Sequence, residues 1–280
     1  MSEVGRFTEA EAAYRKAIAI NPDHAPAHNN LGDALTVLGR FTEAAAAYRK
    51  AIEINPDHAI AHNNLGNALT VLGRFTEAAA AYRKAIEINP DDVFAHNGLG
   101  VVLRELGRRF TEAEAAHRKA IEIDPGHPTA RGWLGELLLL TGKPDQAQVE
   151  LEQAGSQPRV ELLRWIAARA KGGASVHTPD SVLAAFAEPP PAKVVPPSPF
   201  RMAEVRALAL AGRGDGDQAV RVLRSAVDDR QPRDRFARPL YDLLAVPEPV
   251  AGLEGLLEVW REIIAADPSA AGPWGGPDPA

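Results

Sequence analysis

The sequence predicts an all-α fold of stacked helix pairs, with a divergent helical region towards the C-terminus. Three observations carry that reading. A 34-residue unit is written twice, as Ala25–His58 and Ala59–Asp92, and the copies differ only at Pro26 against Ile60, Asp33 against Asn67 and His58 against Asp92. Within each copy the apolar residues recur at helical spacings, as Leu31, Leu35 and Leu38 do. Each half of the unit then meets a helix breaker, Gly39 in the middle and Asn55-Pro56 at the close.

Leu31, Leu35 and Leu38 form the buried stripe of a first helix over Ala27–Leu38. Gly32 lies on that stripe and lets a second helix approach closely. Gly39 turns the chain, because glycine reaches positive φ without steric cost. Thr42 is the expected N-cap of the second helix, with Glu43 at the positive end of its dipole. Ala44, Tyr48 and Ala51 make the facing stripe. Arg49 and Glu53 are spaced to pair at i,i+4 on the outer surface. Asn55-Pro56 stops the helix, since the residue before proline avoids the α region.

The unit recurs along the chain. Gly5–His24 repeats its second half, without the first half. The chain is therefore expected to open on an unpaired helix with an uncovered stripe of Phe7, Ala10, Tyr14, Ala17 and Ile18. Either residues 5–20 form a homo-oligomer or meet a partner, or the chain is a truncated product. Residues 25–58, 59–92, 93–127 and 128–155 complete an array over 1–155, with one extra residue at Arg108-Arg109. A helical extension over 156–187 follows, with helices at Val160–Lys171 and from Thr178-Pro179 to Ala187. Residues 188–199 (EPPPAKVVPPSP) read as an extended proline-rich linker. Residues 200–268 read as divergent repeat-like helices: Ser198-Pro199 to Ala211, Asp217–Val227, Arg235–Ala245 and Pro249–Ala266. Residues 269–280 form a disordered tail.

These residues resemble the tetratricopeptide-repeat family. The Leu-Gly pairs are Leu31-Gly32, Leu65-Gly66, Leu99-Gly100 and Leu134-Gly135. The small residue opening the second helix is Ala44, Ala78, Ala113 or Ala147, the aromatic is Tyr48 or Tyr82, and the later alanine is Ala51, Ala85, Ala120 or Ala154. Pro22, Pro56, Pro90 and Pro125 close the units. His28, His62 and His96 stand where the family often has tryptophan, and His117 replaces the aromatic of the third unit. The resemblance implies a right-handed α-α superhelix, a tetratricopeptide-repeat solenoid whose first helices line a concave groove. It places Asn29, Asn30, Asp33, Thr36, Asn63, Asn64, Asn67, Thr70, Phe94, Asn97, Val101 and Arg104 in that groove. Each amide offers donor and acceptor, so an asparagine ladder suits the backbone of an extended peptide. Some family members grip acidic C-termini of heat-shock chaperones with a cationic clamp. The matching places here are Asn29, Asp33, Asn64, Phe94 and Gly98, and only Asn64 fits, so no such clamp is expected. The Asn-rich style looks closer to the repeat domain of O-linked N-acetylglucosamine transferases, without their catalytic part. Specificity is expected where the copy breaks, at Phe94, Gly98, Val101, Arg104 and Arg108-Arg109.

Composition limits the remaining choices. Net charge is −6, and Arg201–Arg238, the best case for a nucleic-acid partner, holds nine arginines against six acids with no interleaved aromatics. No nucleic-acid partner is expected. There is no cysteine, the N-terminus lacks an apolar signal core, and Leu137–Leu140 is too short to span a membrane. The chain is read as cytoplasmic, with no membrane partner. His24/His28 and His58/His62 are four apart, but the first of each pair lies in a turn and no third ligand is evident. His28, His62 and His96 read as packing histidines with a hydrogen-bonded ring nitrogen, and no metal or other cofactor is expected. Gly212–Asp217 (GRGDGD) reads as a turn between helices. Trp133, Trp165 and Trp260 fall in apolar helical patterns and read as core. No catalytic constellation is evident, so the chain is read as a non-enzymatic scaffold for a protein or peptide partner. The alternative is a regulatory module of an enzyme complex acting through the C-terminal helices.

Overall fold

A computed structural model describes residues 3–106, 109–155, 158–170, 205–210 and 215–226, with Val259. Among the described residues the regular structure is all helix. The chain divides into two compact units, Met1–Pro125 and Gly126–Ala280. The first holds α1 (Glu3–Ile20), α2 (Ala25–Val37), α3 (Phe41–Ile54), α4 (Ala59–Val71), α5 (Phe75–Ile88), α6 (Val93–Glu105) and α7 (Phe110–Ile123), each packed on the next. The second holds α8 (Pro128–Leu140), α9 (Pro144–Glu152), α10 (Pro158–Ala170) and α11 (Gly216–Ser225), with a further helical segment at 205–210. Outside the described residues lie the expected helices at Thr178–Ala187 and Arg235–Ala245, the linker at 188–199, the tail, Trp260 and Arg108. Of Pro249–Ala266 only Val259 is described; it is helical and buried.

The turn inside each unit explains why Thr42 does not cap. Gly39 has φ +75. Its N–H donates to Thr36 O at 3.0 Å, and the Arg40 N–H to Leu35 O at 2.8 Å. That pair of bonds closes α2 as a Schellman motif. It carries the chain into α3 two residues early, with Arg40 at the N-cap and no side-chain cap bond. Thr42 is thus already helical. Instead, Arg40 donates to both Glu43 oxygens, at 2.6 and 2.5 Å. Gly73 and Gly142 repeat the turn.

The stop between units is a local hydrogen-bonded turn. The Asp57 N–H donates to Asn55 Oδ1 at 3.2 Å, an Asx turn. Then His58 caps α4, its Nδ1 accepting from Ala61 N at 3.4 Å. His24 and His127 do the same for α2 and α8, and Asp92 for α6.

Glycine and tyrosine set the spacing within a pair. A Cβ at Gly32 would lie 2.4 Å from the Tyr48 ring, and one at Gly66 2.6 Å from the Tyr82 ring. The tyrosines, Leu35 and Leu69 are fully buried among Ala44, Ala51, Ala78 and Ala85. Burying one such large side chain contributes about 1.5–3 kcal/mol. Arg49 does not pair with Glu53 as its spacing suggests. It reaches the next unit, donating to Glu77 at 3.3 Å, while Glu53 takes Lys50 at 2.9 Å.

The fourth unit lacks a closing proline, and an arginine takes over that end. Gly155 has φ +77. Arg164 of α10 donates to the carbonyls of Leu151 at 3.0 and 2.7 Å, Glu152 at 3.2 Å and Gly155 at 3.0 Å. Leu151 and Glu152 close α9, where a helix end leaves carbonyls without intrahelical partners; Leu151 O also accepts from Ala154 N at 3.1 Å.

Candidate docking surface on the first helices

The structure gathers Asn29, Asn30, Asp33, Thr36 and Asn64 around Tyr48, a residue absent from the expected set. Asp33 Oδ1 accepts from the Tyr48 hydroxyl at 2.8 Å and from Asn64 Nδ2 at 3.0 Å. Its Oδ2 accepts from Asn29 Nδ2 at 3.3 Å. Asn64 also donates to Asn29 Oδ1 at 3.3 Å, Asn29 to Asn30 Oδ1 at 3.4 Å, and Thr36 Oγ1 lies 3.1 Å from the Tyr48 hydroxyl. Asn64 thus ties the first helix of one unit to that of the next. Burial raises the Asp33 carboxyl above its ordinary value of 3.8, and the Tyr48 bond and nearby His58 offset this only in part. Burial likewise pushes the Tyr48 and Tyr82 hydroxyls up.

The second copy keeps the tyrosine and changes its acceptor. Tyr82 donates to Asn67 Oδ1 at 2.8 Å, and Thr70 Oγ1 donates to Gly66 O at 2.8 Å. Gly98 stands at the place of Asn64, and a Cβ there would lie 2.5 Å from the Tyr82 ring. In the third unit His117 fills the aromatic place, buried against Gly100, with Nδ1 3.0 Å from Asn97 Oδ1.

Three of the expected groove residues are buried. Asn29 and Asn63 are buried, and the Asn29 amide is bonded to Asn30, Asp33 and Asn64. Arg104 is 3% exposed and bonds Glu105 at 2.8 and 2.6 Å. Asp33, Asn67 and Phe94 are exposed, and Asn30, Thr36, Asn64, Thr70, Asn97 and Val101 are partly so. Phe94 is 66% exposed and Ile60 60%. Ile60 was missed, although its difference from Pro26 pointed to it: all three residues hold the second place of their first helices. Val37 at the end of α2 is exposed as well.

The histidines act as structural clasps. Nε2 of His28, His62 and His96 lies 2.9 Å from the carbonyls of Pro22, Pro56 and Pro90 respectively. Among the described residues no group of three His, Asp or Glu side chains could hold a metal. A separate cleft of about 480 Å³ between α3 and α5 is floored by Leu65 and Leu69 and flanked by the Arg49–Glu77 pair.

In the second unit, Glu136 occupies the place of Asp33. It is bonded by Arg159 of α10, whose guanidinium lies 4.5 Å from the centre of the Trp133 ring. Trp165 is buried, whereas Trp133 is only partly so.

The tetratricopeptide-repeat description matches residues 2–59, 38–93, 81–115, 106–172 and 203–225. The chain belongs to the tetratricopeptide-repeat family. Its fold is that family's solenoid, typically a non-catalytic scaffold for protein interactions. No curated protein matches the chain significantly. Solved structures do. MamA is 26% identical, with TM-score 0.50, over 55% of this chain and 93% of its own. PilW, described as a widely conserved type IV pilus biogenesis factor, is 25% identical, with TM-score 0.56, over 65% and 83%. A tetratricopeptide-repeat protein from Parabacteroides merdae is 18% identical, with TM-score 0.63, over 85% and 92%, and shares the fold. Among the described residues no helix is long and apolar enough to cross a membrane.

Proposed function

We propose that this tetratricopeptide-repeat chain holds an extended peptide segment of a protein partner against the solvent-facing side of α2, α4 and α6. The observation that carries this is the placement of Ile60 and Phe94. Both are large, apolar and more than half exposed, at one repeat interval on successive first helices. Around them lie the amides of Asn30, Asn64 and Asn67. The outer second helices instead show paired charges, such as Lys50–Glu53, Arg74–Glu77 and Lys84–Glu87. An apolar pad beside polar groups able to hold a backbone is the make-up of a peptide site.

The test uses random dodecapeptides selected on the full chain. A double variant, Ile60→Ser with Phe94→Ser, alters two side chains that contribute little to the core. It should bind the selected peptides at least about tenfold more weakly, a change of about 1.4 kcal/mol, with helical circular dichroism unchanged. Equal binding by the double variant would remove this surface from the function. Asn64→Ala is a poorer probe, because it also breaks the bond to Asp33.

A further inference from the structure

We propose that this surface, taken as the docking site above, selects a segment carrying a basic residue next to an apolar one. Asp33 receives the cation, and Ile60 and Phe94 receive the apolar side chain.

The charge pattern of the first helices points to Asp33. Its exposed or partly exposed neighbours on that face are amides (Asn30, Asn64, Asn67) or apolar (Val37, Ile60, Phe94). The charged residues of α6, Arg104 and Glu105, are buried against each other. The carboxylate therefore stands as an exposed anion on a face of amides and apolar side chains, with His58 nearby.

Its bonding leaves capacity for a ligand. The three side chains that donate to Asp33 are a hydroxyl and two amides, all neutral. None of them cancels its charge; nearby His58 acts on it through space. A carboxylate offers about four acceptor sites, and Oδ2 uses one. A guanidinium or ammonium arriving there would form a charge-assisted bond, roughly twice as strong as a neutral one. Because burial works against ionised Asp33, a cation from the ligand also relieves that penalty.

The spacing joins the two chemistries. Ile60 and Asn64 are one turn apart on α4, so they share a face. Asn64 is bonded to Asp33 at 3.0 Å. An apolar side chain on Ile60 and a cation on Asp33 thus fall within a few residues of one extended ligand. Phe94 takes on α6 the place that Ile60 takes on α4 and prolongs the apolar pad. The second copy has Asn67 where the first has Asp33, with the tyrosine bond kept at the same 2.8 Å. The molecule thus contains its own neutral version of the site.

The probes are synthetic hexapeptide pools with Phe fixed and Arg, Ala or Glu fixed at successive spacings, read by fluorescence anisotropy on the full chain. The wild-type chain should bind an Arg pool about tenfold more tightly than the matching Glu pool, and added salt should narrow the gap. Asp33→Asn should bring the ratio to within about twofold, a loss consistent with removal of one charge-assisted bond. Its fold is safeguarded by Asn67, the natural residue at that place in the second copy. Asn67→Asp should widen the ratio. Ile60→Ser with Phe94→Ser should weaken every pool and leave the ratio. Binding without preference for Arg, or a preference that survives Asp33→Asn, overturns this inference and leaves the docking surface standing. Absence of binding by every pool overturns both.

Discussion

The two copies of the unit carry the same tyrosine in the same helix pair and enclose it differently. Tyr48 meets Gly32 on one side and donates to a carboxylate, which Asn64 of the next unit also holds. Tyr82 meets Gly66 on one side and Gly98 on the other, and donates to an amide. The first copy links neighbouring units by hydrogen bonds. The second links them by close contact of a ring with backbone. Near-identity of sequence therefore does not imply equal junctions, because each junction is completed by residues of the following unit.

Overpacking should separate the copies most. Gly66→Ala puts a Cβ 2.6 Å from a ring already confined by Gly98. It should cost about 3 kcal/mol in urea unfolding. Gly32→Ala should cost about 1–2 kcal/mol, since Asn64 stands at the place where Gly98 confines the Tyr82 ring. Equal losses would show that both rings have the same freedom to shift.

Removing the hydroxyls is the next largest change. Tyr48→Phe takes a donor from a carboxylate and should cost about 2 kcal/mol. Tyr82→Phe takes one from an amide and should cost about 1 kcal/mol. The reverse order would mean that Asn64 and Asn29 already satisfy Asp33.

The smallest effect is a slope with pH. The Asp33 carboxyl is raised in the folded chain, so the folded state holds its proton more tightly than the unfolded state does. As pH rises above the ordinary value of 3.8, wild type should therefore lose stability relative to Asp33→Asn, until Asp33 is ionised in the fold as well. Urea midpoints for both chains at pH 3, 5 and 7 measure this. A gap that moves towards wild type with rising pH would contradict the sign.

Much of the architecture could be read from residues that act within their own helix. The period, Gly39 and Asn55-Pro56 mark helices and breaks because glycine and proline act locally. The pairing of Arg49 with Glu77, rather than Glu53, could not be read that way. Spacing counts neighbours along one helix, and the partner lies in the next unit. The same reason hid the burial of Asn29, which Asn64 of the next unit bonds. Thr42 was eclipsed as a cap because Arg40 enters α3 straight from the Schellman turn. The candidate site was legible in its polar members: Asn30 and Asn64 repeat, and Asp33 and Asn67 are polar residues at one place in the two copies. Ile60 was not, because its counterpart is Pro26 and the asparagine pattern carries no apolar member there.

The clasp from His28, His62 and His96 to Pro22, Pro56 and Pro90 has a consequence for how such an array comes apart. Each proline ends one unit, and its carbonyl fastens the first helix of the next. The bond therefore belongs to a junction and to neither unit's own helices. In a linear array, junction energies decide whether units melt together or one by one. Cutting a clasp, as in His62→Leu, loosens the coupling between units whose helices remain intact. Its mark would be a broader unfolding transition, with a smaller slope in denaturant, as the array begins to fray from one side of the cut.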